Sequence, residues 1–264
     1  MARAYRHFIP GYIWHITHRC HKRDFLLKYV KDRHRWLQWL FEAKKRYGLL
    51  ILNYAVTSNH IHLLVYDDKA QGIIPKSMQL IAGRVGQEYN QRRKRKGAFW
   101  EDRYHATIIE GGDHLLRCIA YIDMNMVRAG VVNHPEQWRH GGYNEIQYPR
   151  RKCILIDYHT LSRLAGFDDF QRFQTKHLQW INAAIENQTG LSHDTKWTRS
   201  IAVGSEDFLK EVKRKMQAMS VGRRIHLSKD GFELRETIDS YNGHLDAEKC
   251  DIDANNTWLW DINN

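Results

Sequence analysis

Two histidines one residue apart, His60 and His62, lie in the run Leu50-Ile-Leu-Asn-Tyr-Ala-Val-Thr-Ser-Asn-His-Ile-His-Leu-Leu-Val-Tyr66. Apolar, β-branched and aromatic residues on both sides of the polar pair Ser58-Asn59 predict a β-hairpin. Side chains alternate faces along a strand, so His60 and His62 share one face about 7 Å apart, while Ile61, Leu63 and Val65 take the other. Two imidazoles so placed can chelate one divalent ion. The pair alone decides nothing, because in a chain with 16 His such a spacing is expected by chance.

A second candidate group is helical. From His114 to Gly130 the apolar residues Leu115, Ile119, Ile122 and Met126 form one stripe, and Gly130 is a suitable stop. Arg117, Tyr121, Asn125 and Arg128 gather on a different side of the same helical wheel, with Tyr121 and Asn125 as i, i+4 neighbours. A phenol one turn from an amide oxygen, with arginines near to hold phosphate oxygens, suits metal-assisted attack on a phosphodiester. A single helical tyrosine is otherwise an ordinary packing residue, so the weight falls on the two groups together.

The elements that must position these groups follow from periodicity. Strands are expected at about 12 to 19, 50 to 57, 60 to 66 and 105 to 110, and helices at 31 to 47, 75 to 96 and 113 to 128. That order is βαββαβ plus a final helix, an α+β chain with the ferredoxin-like split βαβ core: an antiparallel sheet with helices on one face. The histidines then occupy the other face, where the last helix brings Tyr121. After Tyr148-Pro-Arg-Arg-Lys152 the pattern changes to helical stretches at 158 to 164, 168 to 186 and 205 to 219. The last of these opens with Ser205 as N-cap and Glu206 and Asp207 in its first turn. The chain thus divides into residues 1–150 and a mainly helical C-terminal extension, 151–264, with a mobile acidic tail from Asp246 in which Trp258 and Trp260 could dock. Lys210, Lys213, Arg214 and Lys215, followed by Val221-Gly-Arg-Arg-Ile-His226, suit either accessory DNA binding or a solvated face. The three-residue spacing of His15, His18 and His21 crosses a strand end and is a poor arrangement for a second metal site.

Read together, Ala55-Val-Thr-Ser-Asn-His-Ile-His-Leu-Leu-Val65, Trp100-Glu-Asp-Arg-Tyr104 and Tyr121-Ile-Asp-Met-Asn-Met-Val-Arg-Ala-Gly130 resemble the single-tyrosine HUH transposases of the insertion-sequence superfamily. The resemblance is greatest to the REP-associated tyrosine transposases. Pro10-Gly-Tyr-Ile-Trp-His-Ile-Thr-His-Arg19 is similar to that family's first strand, so the resemblance covers residues 5 to about 145 in order. It implies His60 and His62 as metal ligands, Asn125 in the third ligand position and Tyr121 as nucleophile. It also implies a metal-dependent endonuclease and strand transferase on single-stranded or hairpin DNA, working through a 5′-phosphotyrosine. Mg²⁺ or Mn²⁺ is expected over Zn²⁺, since the chemistry is phosphoryl transfer and the set lacks thiolates, although two imidazoles also suit zinc. Met126 and Ser58 stand where the family commonly has Pro, and neither change removes a group the reaction needs. The resemblance favours a monomer acting in cis, with a dimer acting in trans as the alternative.

Composition agrees with a nucleic-acid partner. Lys+Arg 41 against Asp+Glu 30 gives a net charge of +11 and a pI near 9.5, and a basic surface concentrates polyanions. The densest run, Arg92-Arg-Lys-Arg-Lys96, closes the helix expected at 75 to 96, where the helix dipole favours cations; it either contacts phosphates or is a solvated helix end. Arg92, Arg93, Arg95, Arg103, Arg117 and Arg128 are the candidate DNA contacts. Cysteines 20, 118, 153 and 250 show no C-x-x-C spacing and read as reduced thiols. No apolar run approaches about 18 residues and no signal-peptide core precedes the first strand, so a cytoplasmic, nucleoid-associated protein with no membrane partner is expected. Two rival readings are a non-catalytic hairpin-binding regulator derived from a transposase and a zinc-dependent hydrolase of a small substrate. The intact Tyr121, Asn125 and histidine pair count against the first, and the charge against the second.

Overall fold

The alternation across residues 50 to 66 gives, in the computed structural model, the hairpin strands β2 (Leu50–Val56) and β3 (His60–Asp67). Residues 8–69, 72–188, 194–217, 222–228 and 230–236 are described. Strand β1 (Tyr12–Arg19) pairs antiparallel with β3 on one side and with β4 (His105–Ile109) on the other, in a register that sets Thr17 opposite both His62 and His105. Helices α1 (Val30–Tyr47) and α2 (Ile73–Arg92) cover one face, burying Trp36, Leu40, Met78 and Ile81 in a common core with Ile16, Ile61, Leu63 and Val65. This is the ferredoxin-like arrangement read from periodicity.

Helix α1 stops where Gly48 takes φ 72°, the left-handed cap that glycine adopts without steric cost. Helix α2 begins two residues before Pro75, which its first turn tolerates because N–H groups there have no intrahelical partner. It ends at Arg92 and not at Lys96: Lys94 has φ 49°, and the backbone N–H of Arg95 turns back to the Asn90 carbonyl. Most of the basic run is therefore a turn beyond the helix.

On the opposite face the single helix expected at 113 to 128 is two, α3 (Asp113–Asp123) and α4 (Asn125–Arg128), separated at Met124 (ψ 0°). The Met124 N–H still reaches the Ala120 carbonyl and the Arg128 N–H the Met124 carbonyl, so the helical path continues through the break and Tyr121 and Asn125 remain about one turn apart.

Beyond residue 150 the expected helical stretches are present as α6 (Tyr158–Leu164), α7 (Phe170–Glu186) and α9 (Glu206–Met216), after α5 (Tyr143–Gln147) and with the short α8 (Lys196–Arg199) between. This part also supplies strands. β5 (Ala202–Gly204) pairs parallel with β4, and the hairpin β6 (Arg223–Ser228) and β7 (Gly231–Glu236) extends the sheet to the order β2-β3-β1-β4-β5-β7-β6. The extension is thus mixed, and its sheet continues that of the first part, with Leu234 and Ile13 in one core. Three residues of β5 are too few to display a period. The alternation of Ile225, Leu227, Phe232 and Leu234 follows a Lys-rich helix whose charge dominates the local pattern.

Cys20 and Cys118 are buried thiols and Cys153 is exposed, none paired among the described residues; Cys250 and the acidic tail with Trp258 and Trp260 lie outside them. No described helix is long and apolar enough to cross a membrane.

Candidate active site

The β2–β3 turn is built to aim His60. The Thr57 hydroxyl donates to the His60 carbonyl at 2.8 Å and accepts from the His60 N–H at 3.1 Å. Loop backbone then pins the turn, Cys20 N–H donating to the Asn59 carbonyl and Leu27 N–H to the Ser58 carbonyl. Because the Thr57 proton is committed, the His60 ring must donate from Nδ1, to Asn59 Oδ1 at 2.7 Å and to Thr57 Oγ1 at 3.0 Å. That leaves the lone pair of His60 on Nε2.

His62 is buried and reaches the same tautomer by a different route. His15, one strand away on β1, donates from Nδ1 to the Trp197 carbonyl at 2.8 Å, and its Nε2 lies 2.9 Å from His62 Nδ1. Burial pushes the His15 imidazolium pKa down to about 3, so the ring is neutral at ordinary pH, Nε2 accepts, and His62 must be the donor. The lone pair of His62 Nε2 therefore faces Asn125, whose Nδ2 sits 3.0 Å away. The His60 and His62 ring centroids are 5.0 Å apart, at 80°.

Helix α3 delivers Tyr121 over this pair, with its ring 5.8 Å from His62 and 6.3 Å from His15, centroid to centroid. A buried carboxylate fixes the helix: Asp123 accepts from Asn53 Nδ2 at 3.0 Å and from His177 Nε2 at 2.8 Å, tying α3 to β2 below and α7 above. Arg128 lies over the Tyr121 ring at 4.1 Å and donates to the Tyr121 carbonyl. Burial raises the Tyr121 hydroxyl above its ordinary pKa, and the Arg128 guanidinium partly offsets that. The phenol is thus protonated at neutral pH until something withdraws its proton.

These side chains open onto a cleft of about 490 Å³ that also includes Thr17, His18, His105, Thr198 and both Asp102 and Glu101, with four arginines: Arg19, Arg103, Arg128 and Arg199. Glu101, Asp102 and Arg103 form one wall, next to Trp100. The Trp100 indole stacks on His18 at 4.0 Å and donates to the Ala82 carbonyl. The opposite wall is α8, which β4 receives through His105 Nε2 and Thr107 Oγ1, both donating to the Ser200 carbonyl.

The structure therefore gathers Tyr121, His60, His62, Asn125, Arg103 and Arg128. It leaves the other predicted arginines elsewhere. Arg117 is exposed and donates to the Asp230 carbonyl. Arg92 pairs with buried Asp32, Arg93 lies over the Tyr29 ring, and Arg95 bonds Asn90 and the Gly97 and Ala98 carbonyls. His105, Arg19, Thr198 and Arg199 escaped sequence reasoning, which takes His15 only as part of a poor metal-binding spacing. The alternation along β1 could have put His15 and Thr17 on the His62 face, but nothing in the sequence links α8 to that face.

Among the described residues no three His, Cys, Asp or Glu side chains form a metal-binding group; the candidate third donor, Asn125, is an amide. The donors nonetheless fit a hard divalent cation. Two imidazoles present Nε2 lone pairs, and the 3.0 Å between His62 Nε2 and the Asn125 amide is about the spacing of adjacent ligands at right angles around an ion with bonds of about 2.1 Å. Rotating the amide by half a turn would present Oδ1, the atom a cation requires.

Residues 9–125 match the family model described as transposase, IS200 like. Among solved structures the chain is similar to a REP-associated tyrosine transposase bound to a REP hairpin, at 17% identity and TM-score 0.43, covering 55% of this chain and 84% of that one. It is also similar to a structure from Deinococcus radiodurans described as a transposase, at 15% identity and TM-score 0.31, covering 39% and 83%. Both likenesses are too loose to assign a residue. No curated protein matches the chain.

Proposed function

Since residues 9–125 match the IS200-like transposase family, we propose that the protein is a metal-dependent endonuclease and strand transferase for single-stranded, hairpin-containing DNA. The observation that carries this reading is the meeting, in one arginine-lined cleft, of a tyrosine and two histidines whose Nε2 lone pairs are set by hydrogen bonds.

His60, His62 and the Asn125 amide oxygen would hold Mg²⁺ or Mn²⁺, which when bound supplies a Lewis acid for the scissile phosphate. Tyr121 Oη attacks phosphorus, forming the Oη–P bond as the P–O3′ bond breaks. The tyrosine proton leaves and the departing O3′ takes one up, giving a 5′-phosphotyrosine and a 3′-OH. Attack by another 3′-OH reverses the step and joins strands. Arg128, against the phenol, lowers the cost of the phenolate and reaches a phosphate oxygen on the same side. Arg19, Arg103 and Arg199 steer the strand into the cleft. Tyr121 and His62 come from one chain with rings 5.8 Å apart, which supports catalysis in cis by a monomer.

Labelled hairpin DNA incubated with protein and Mn²⁺ should give a denaturant-resistant adduct that maps to Tyr121. Tight hairpin binding with no adduct under any divalent ion would favour the regulator over the enzyme.

A further inference from the structure

We propose that His15 is a positioning residue for His62: it fixes the tautomer and ring orientation that turn the His62 Nε2 lone pair toward the cleft, while the Trp197 carbonyl fixes His15. This inference rests on the proposed nuclease reading only in treating His62 as a metal ligand.

Proton counting carries it. A carbonyl can only accept, so the His15 nitrogen 2.8 Å from the Trp197 oxygen must carry hydrogen. The other His15 nitrogen faces His62 Nδ1 at 2.9 Å, and one proton lies between them. If it belonged to His15, that ring would be a fully buried cation and His62 would carry its own proton on Nε2, the atom facing the cleft. If it belongs to His62, both rings are neutral and Nε2 is ready to ligate. The ring planes lie within 8° of one another, with centroids 5.1 Å apart, the disposition of an in-plane hydrogen bond that also stops His62 from rotating. His15 does not line the cleft; it hydrogen-bonds His62 and also meets the Tyr121 ring edge-on at 6.3 Å, so metal affinity rather than cleavage is the readout of its effect on His62. Partners in this outer position typically contribute about 10- to 100-fold in metal affinity.

His60 gains the same tautomer from its own turn, within three residues of sequence. His62 depends instead on a strand neighbour and on a carbonyl from α8. The region after residue 150 thus reaches the nucleophile–metal centre through a two-ring relay, without contributing a ligand.

The test begins with the metal-free, DNA-free protein. Long-range ¹H–¹⁵N spectra of ¹⁵N-histidine-labelled protein should show both His15 and His62 protonated on Nδ1; His62 protonated on Nε2 would overturn the proposal. Mn²⁺ affinity, followed by electron paramagnetic resonance, should fall about 10- to 100-fold in His15→Phe. It should return to within a few-fold of wild type in His15→Gln, whose amide oxygen can accept from His62 Nδ1. Hairpin affinity without metal should be alike in all three. Equal Mn²⁺ affinity in wild type and His15→Phe would refute the positioning role and leave the nuclease reading intact. Absence of Mn²⁺ binding by wild type would defeat the ligand assignment instead, and the spectra would still decide the tautomer. Should His15→Phe fail to fold, the wild-type spectrum and the His15→Gln affinity carry the test.

Discussion

Arg92, Arg93 and Arg95 are neighbours in sequence and serve separate local tasks, whereas Arg19, Arg103, Arg128 and Arg199 come from four distant segments and meet on one cleft. In the first set the guanidiniums are occupied by a buried carboxylate, an aromatic face and loop carbonyls. In the second they surround a tyrosine and two histidines. Charge density along a chain reports composition; convergence across elements reports a site.

The strongest way to test that contrast is to remove the group on which the cleft converges. Tyr121→Phe keeps the ring packed and deletes one hydroxyl, so covalent adduct should vanish and cleavage fall by about 10⁴-fold or more with hairpin binding retained. An adduct persisting in this variant would shift attention to Tyr104, Tyr143 and Tyr148. His60→Ala and His62→Ala should each lower cleavage on the order of 10²-fold, again with little change in metal-free hairpin affinity. Full activity of the double variant in chelator would refute metal dependence.

The contrast itself is measured next. Arg103→Gln with Arg199→Gln should slow cleavage about 10-fold even at saturating protein, because charge next to the reacting phosphate is removed. Arg93→Gln with Arg95→Gln should leave saturated cleavage unchanged. Every phosphate of a single strand that a variant ceases to neutralise should flatten log K against log salt by about 0.7, so an unflattened slope in the second pair would show the turn to be solvated surface. The reverse pattern would dissolve the distinction.

Arg92 should behave differently from both. Its partner Asp32 is buried, with Oδ2 already lacking a partner, so Arg92→Gln should cost about 1 to 2 kcal/mol in a urea titration with cleavage per folded molecule unchanged. A smaller effect concerns pH. His140 is buried near Arg33, His34 and Arg139, and burial first, then those charges, lower its pKa from 6.5 to about 4. The unfolded chain takes up that proton below pH 6.5 and the folded chain only near pH 4, so the His140 contribution makes stability fall as pH drops through this window. The melting temperature of His140→Gln should fall less over the same range than that of wild type.

Periodicity made the four-strand core, both covering helices and the shared face of Tyr121 and Asn125 legible, because each is set by residues close in sequence. His60 and His62 were visible for the same reason. His15 was not, since its meaning depends on pairing β1 with β3 and on a carbonyl from α8. A four-residue helix and a three-residue strand carry too few positions to show a period, so Thr198 and Arg199 were invisible as cleft residues. Asp123 reads in sequence as an ordinary polar residue, and only the arrival of Asn53 and His177 explains its burial. Arg117 fell on the expected side of the wheel but is exposed and bonded to Asp230, where only the added hairpin could place a partner.

The parallel pairing of β5 with β4 also has a consequence in time. A chain emerges from the ribosome N-terminus first, at about 5 to 20 residues per second, so His60, His62, Tyr121 and Asn125 all exist before the α8 segment that walls the cleft and supplies the Trp197 and Ser200 carbonyls. A nascent chain therefore carries these four side chains without the finished pocket. On the proposed reading, a cutting centre completed by a late-made segment would become competent only once most of the polypeptide had been synthesised, limiting the exposure of nearby DNA to half-made molecules.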